Sequence, residues 1–122
     1  MVECRILINA PLEEMEARFQ NYEDLELSEA ERQGWTLLEV FSGTEFFGWE
    51  IVSWVELAKG NELIYAYYDE DMNAEFVHVR DGACLRAYQQ YDGETDTDEG
   101  EDPETAITGW ADVANYMDEH MS

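Results

Sequence analysis

Asp81-Gly82 limits the architecture more tightly than any other feature of the chain. It joins two segments that alternate apolar and polar residues, and a two-residue Asp-Gly connection suits the positive φ angles of a type I′ turn, so Glu75–Arg80 and the run from Ala83 must form an antiparallel hairpin. If Arg80 and Ala83 flank the turn, Val79 lies opposite Cys84 and Val77 opposite Arg86 on one face, while His78 lies opposite Leu85 and Phe76 opposite Ala87 on the other. Each face is then partly apolar. Helices are expected to cover one face, leaving an aromatic and charged surface on the other.

Other segments add to this sheet. Cys4–Ile8 is short and rich in branched apolar residues and reads as a first strand. Pro11 introduces a helix whose stripe is Leu12, Met15, Phe19 and Tyr22, with Glu13, Glu14 and Glu16 at the positive end of its dipole. Tyr22–Arg32 is acidic and weakly periodic and fits a short helix or a loop around Leu25 and Leu27. Trp35–Phe41 reads as a strand ending at Ser42-Gly43. Phe46–Leu57 is a long β-prone run and predicts a central strand. Lys59-Gly60-Asn61 then turns the chain into a strand over Leu63–Tyr68 that faces back on it, and the acidic loop Asp69-Glu70-Asp71 follows. Trp110, Val113, Ala114 and Met117 recur at helical spacing behind Thr108 as N-cap. No internal repeat is present. The order predicts one α+β domain over residues 1–122, a meandering antiparallel sheet with the N-terminal and C-terminal helices packed on one face as a two-layer sandwich.

Composition sets the remaining limits. A chain of 122 residues with 45% hydrophobic content buries roughly two thirds of its unfolded surface and folds without staples. Cys4 and Cys84 lie in strand-like segments and are read as reduced thiols. Aromatic residues make up 13% of the chain, too much core material for a disordered protein. The exception is residues 92–104, acidic and almost without packing side chains, which read as a mobile, solvated loop. Thirty acidic residues against six basic ones give a formal net charge of -24. Such a surface repels nucleic acid and anionic lipid and attracts a basic protein, although the same charge also serves solubility or a salty environment. No basic-then-apolar start precedes the first strand, and the uncharged apolar runs fall far short of the roughly 18 residues of a membrane span. A cytoplasmic location without membrane contact is therefore expected.

The chemistry-bearing motifs are mostly missing. The chain has no glycine-rich phosphate loop, nucleophile elbow, CxxC or histidine pair at ligand spacing, so no catalytic residue, metal or cofactor is expected and the domain is not read as an enzyme. Asp92, Glu94, Asp96 and Asp98 alternate like calcium ligands, but neither Gly93 nor Gly100 meets the EF-hand spacing. His120, at the end of the last helix, suits that helix's dipole. His78, mid-strand, reads as a packed sheet residue, with a ligand pocket formed by His78, Arg80 and Arg86 as the competing view. For Arg86, pairing with nearby acids is the default explanation. Strand aromatics such as Trp49, Trp54 and Tyr65 belong mostly to the core, because alternate residues face inward. Exposed tyrosines beside acids would suit docking onto a basic surface, which selects Tyr67, Tyr68, Asp69, Glu70, Asp71, Tyr88 and Tyr91 as a partner-binding set.

The course of Leu63 to Tyr91, strand, acidic turn, strand, Asp-Gly, strand, is followed by an acidic loop and a closing helix with Trp110-Ala111-Asp112-Val113-Ala114. Over the last half of the chain this pattern resembles the small bacterial immunity proteins of polymorphic toxin systems. The resemblance implies an acidic single domain that blocks a toxin's active site, often that of a basic nuclease, and it transfers a role to no particular residue. The leading expectation is a stoichiometric inhibitor of a basic toxin or nucleic-acid enzyme. The alternatives are a DNA mimic acting on a DNA-binding enzyme, and a small-ligand-binding or enzymatic domain centred on His78.

Overall fold

The branched and aromatic runs pair into one seven-stranded antiparallel sheet in the computed structural model, which describes residues 2–42, 45–102 and 106–121. Its strands are β1 (Val2–Ile8), β2 (Leu25–Glu29), β3 (Thr36–Val40), β4 (Leu63–Asp69), β5 (Ala74–Arg80), β6 (Ala83–Tyr91) and β7 (Glu94–Gly100). Their order across the sheet is β2-β3-β1-β4-β5-β6-β7. Three helices complete the α+β fold: α1 (Leu12–Arg18), α2 (Ile51–Ala58) and α3 (Trp110–His120). Among the described residues no helix is long and apolar enough to cross a membrane.

The N-terminal and C-terminal helices are both present, but they do not share a face. Met15 and Phe19 of the α1 region and Trp54 and Ala58 of α2 pack with Cys4, Ile6, Ile8, Leu63, Tyr65, Tyr67, Val77 and Val79. Val113, Tyr116 and Met117 of α3 pack with Leu7, Ile64, Ala66, Tyr68, Phe76 and Tyr88 on the opposite side. The two-layer expectation is thereby corrected to three layers. The cause lies in β4, whose seven residues are all buried. A strand that is apolar at consecutive positions needs cover on both faces.

Two segments change class. The expected central strand over Phe46–Leu57 is a turn followed by α2, because Ile51, Trp54, Val55 and Ala58 recur at helical spacing and leave Val52 and Glu56 in solvent. Its terminal carbonyls are capped from α1: the Arg18 guanidinium donates to Leu57 O and Ala58 O, both at 3.2 Å, satisfying groups a helix end leaves open. β4 accordingly pairs with β1 and β5 instead of with that segment. The stretch left open after Tyr22 contains β2.

The mobile loop expected at 92–104 is also corrected in part, since residues 94–100 form β7 while residues 103 and 104 lie outside the described residues. Asp92-Gly93 turns the chain as Asp81-Gly82 does, with φ of 53° and 82° against 53° and 76°. Both match the type I′ requirement.

The predicted hairpin register holds next to its turn and then slips. Arg80 faces Ala83 and Val79 faces Cys84, but His78 faces Arg86, Val77 faces Ala87 and Phe76 faces Tyr88. Leu85 is the extra residue of a β-bulge. This slip brings His78 and Arg86 side by side on the α3 face, where the predicted register put them on opposite faces.

Candidate functional site

His78 is fully buried, and both its ring nitrogens face carboxylates: Nδ1 lies 2.7 Å from Asp102 Oδ2 and Nε2 lies 2.7 Å from Glu62 Oε2. An imidazolium donates to both, whereas a neutral ring would set a lone pair against one of them. Burial works against the charge, but Asp102 and Glu62 outweigh it and hold the ring's pKa above its ordinary value. Glu62 is itself resisted by burial, yet its bonds to His78 and Arg80 keep its pKa below the ordinary carboxylate value. Arg80 donates to the same Glu62 oxygen at 3.0 Å. With the ring protonated, the cluster sets two cations, His78 and Arg80, against two carboxylates, Glu62 and Asp102.

Arg86 belongs to a separate arrangement. Its guanidinium pairs with Asp98 at 2.6 Å and donates to the carbonyls of Glu99, Ala87 and Ile107. It lines a cleft of about 320 Å³ with Gly100, Glu101, Asp102, Ala106, Ile107 and Thr108. His78 and Arg80 are not among those lining residues, so the expected pocket of His78, Arg80 and Arg86 is corrected to two charge clusters joined through Asp102. The default explanation, pairing with acids, holds for Asp98 alone; the other three partners are backbone carbonyls.

A second buried polar centre lies on the other face. Glu75 is 1% exposed and accepts from Tyr65 OH at 2.7 Å, from Tyr91 OH, and from Gly48 N–H at 3.1 Å. Burial, reinforced by the hydrogen bond to Glu75, pushes the Tyr91 hydroxyl's pKa up. Phe47 closes over the group, its ring 4.7 Å from Tyr67 and 5.6 Å from Tyr91. Neighbouring Cys4 is a buried free thiol whose pKa is raised by burial and then by the Glu75 charge. It is no activated nucleophile.

These contacts correct the expected partner-binding set. Tyr67, Tyr68, Tyr88 and Asp69 are buried. Tyr67 donates to Asp69 at 2.7 Å, and Asp69 also accepts from the backbone N–H groups of Asp71 and Asn73, so it organises the turn after β4. Tyr88 bonds to Gln90 and Thr95. Glu70 and Asp71 are exposed, and Tyr91 is half-buried. The expected surface therefore loses three of its four tyrosine anchors, Tyr67, Tyr68 and Tyr88, because β4 and the middle of β6 bury side chains on both faces, while Tyr91 stays partly in solvent.

β7 is the acidic surface that sequence reasoning placed in a loop. Six of its residues are exposed and Thr97 is half-buried. It presents Glu94, Asp96, Asp98 and Glu99 along the rim of the sheet. The signal for it was the second Asp-Gly pair, followed by β-prone Thr95 and Thr97. Glu75 was also detectable, as an acid two and four residues before Val77 and Val79 on the same strand face. The pairing of Asp102 with His78, across 24 residues, has no local signal.

The arginines are tied into contacts within the chain, although only Arg86 is buried and Lys59 is exposed. Beyond Arg18, Arg80 and Arg86, Arg5 donates to Met121 O at 2.9 Å and the Arg32 guanidinium lies 4.6 Å above the Trp35 ring. All five arginines thus serve internal contacts, and Lys59 sits in the left-handed turn after α2. Among the described residues, no group of three or more His, Cys, Asp or Glu is placed to hold a metal ion. No protein-family model, curated protein or solved structure matches the chain.

Proposed function

We propose that the chain is a protein-binding domain that covers a basic surface of another protein, acting as a stoichiometric, immunity-type inhibitor of a basic toxin or nucleic-acid enzyme. The observation that carries this reading is the division of charge: the arginines are engaged by carbonyls, carboxylates and an aromatic ring of the chain itself, while carboxylates stand exposed on an ordered strand at the rim. An outward field of one sign steers an oppositely charged partner and repels phosphate. An ordered row of acids loses less entropy on docking than a mobile loop would.

The test is affinity capture with the native chain and with a Glu94→Gln, Asp96→Asn, Glu99→Gln variant, at low and high salt. Asp98 is kept because it pairs with Arg86. The expected result is a basic partner that the native chain retains at low salt, that high salt releases, and that the variant does not hold. Titration of that partner's activity should end at one chain per partner. Retention indifferent to both salt and the substitutions would overturn the reading.

A further inference from the structure

We propose that β7 binds its partner by strand addition, taking a basic β-strand of that protein along its open edge; this rests on the acidic-docking reading and specifies its geometry. β7 ends the sheet order, so among the described residues its backbone has a strand on one side only. Its seven residues offer roughly 23 Å of backbone at strand rise. The other edge is less available. β2 has five residues, its Leu25 and Leu27 pack into the core, and α1 lies against it.

Open edges invite pairing, and charged side chains are a common defence against it. Here the defence is one-signed. A second copy of this chain would bring Glu94, Asp96, Asp98 and Glu99 opposite the same acids, and like charges directly opposite disfavour pairing. A strand with lysine or arginine at alternate positions replaces that repulsion with cross-strand attraction, while its backbone supplies the missing hydrogen bonds. The acids thus exclude copies of this chain and admit strands of opposite charge. Asp96, the extra residue at the β6–β7 register shift, breaks the regular edge on one side of Thr97.

The test uses a synthetic peptide of the strand's length with lysine alternating with threonine, and the same peptide N-methylated at alternate residues. Methylation removes backbone donors and leaves the charge unchanged. Strand addition predicts binding of the first peptide at low salt, new hydrogen-exchange protection of β7 amides, and about tenfold or more weaker binding of the methylated form, since two or more net hydrogen bonds are lost. Equal, salt-sensitive binding of both peptides overturns strand addition and leaves acidic docking standing. Protection confined to β2 overturns the assignment to β7. Failure of both peptides to bind at low salt overturns both readings.

Discussion

Without its ring, His78 would leave Asp102 and Glu62 as buried or half-buried carboxylates that have lost their shared cation. Breaking one partner out of a buried ion cluster costs about 3–5 kcal/mol, so His78→Ala should lower the urea midpoint accordingly. The contribution of the raised His78 pKa is fully present below its ordinary value of about 6.5 and is lost as pH rises through the folded value. Glu62, lowered in the fold, contributes above about pH 4.3 and loses that as pH falls through its folded value. The native chain should exceed His78→Ala in stability by most between roughly pH 4.3 and 6.5, and an unchanging difference across that window and above it would refute the assignment. Glu75→Gln keeps the shape of the buried centre but offers fewer acceptors to Tyr65, Tyr91 and Gly48. A loss of about 1–3 kcal/mol is expected, with Tyr91 ionising at lower pH in a tyrosinate absorbance titration. His78 was legible as a packed strand residue. Its partners were not, because long-range pairing depends on where distant strands and their connections meet.

At the scale of elements, the β-bulge and β7 depend on one close approach. Gly100 has φ of 77°, and a Cβ there would lie 2.0 Å from Leu85 O, a backbone atom of the bulge. Gly100→Ala must shift one strand against the other and place alanine in the left-handed region, itself a cost of about 1–2 kcal/mol. The expected outcome is faster amide exchange along β7 with the β1–β4 centre still protected. Uniform loss across the sheet would show that β7 is not a separate unit. The Asp81-Gly82 turn was legible, because two residues at positive φ need little beyond their own backbone; Asp92-Gly93 carries the same signal but was read as part of a mobile loop because the acids around it offer no packing side chains. α2 was not, since Phe46–Leu57 is apolar at positions compatible with either period. Trp54, stacked 4.1 Å from Tyr65, decides for helix by filling the space above β4.

At the scale of the molecule, a net charge of -24 opposes compaction through self-repulsion. Added salt screens exposed charges separated by more than a Debye length. Thermal midpoints should therefore rise with sodium chloride, by roughly 4 °C for each kcal/mol of repulsion removed. A flat or falling midpoint in calorimetry would mean that exposed acids are already compensated. This charge was readable from composition, whereas the direction in which each sign points was not: the arginines reach helix ends, carbonyls and buried acids only once the fold has assembled those groups.

Local backbone chemistry and average composition were determined by the sequence alone. They include the Asp81-Gly82 turn, the N-terminal and C-terminal helices, the α+β class and the net negative charge, each set by neighbouring residues or by sums over the chain. Tertiary structure decided the helix over 51–58, the placement of helices on both faces, the burial of the tyrosines and the pairing of His78 with Asp102. Each of these depends on which side of the sheet a residue meets, and the sheet's order brings together segments far apart in sequence. The acids of residues 94–100 changed most, from an expected mobile loop to an ordered rim, because an Asp-Gly turn allowed them to pair with β6.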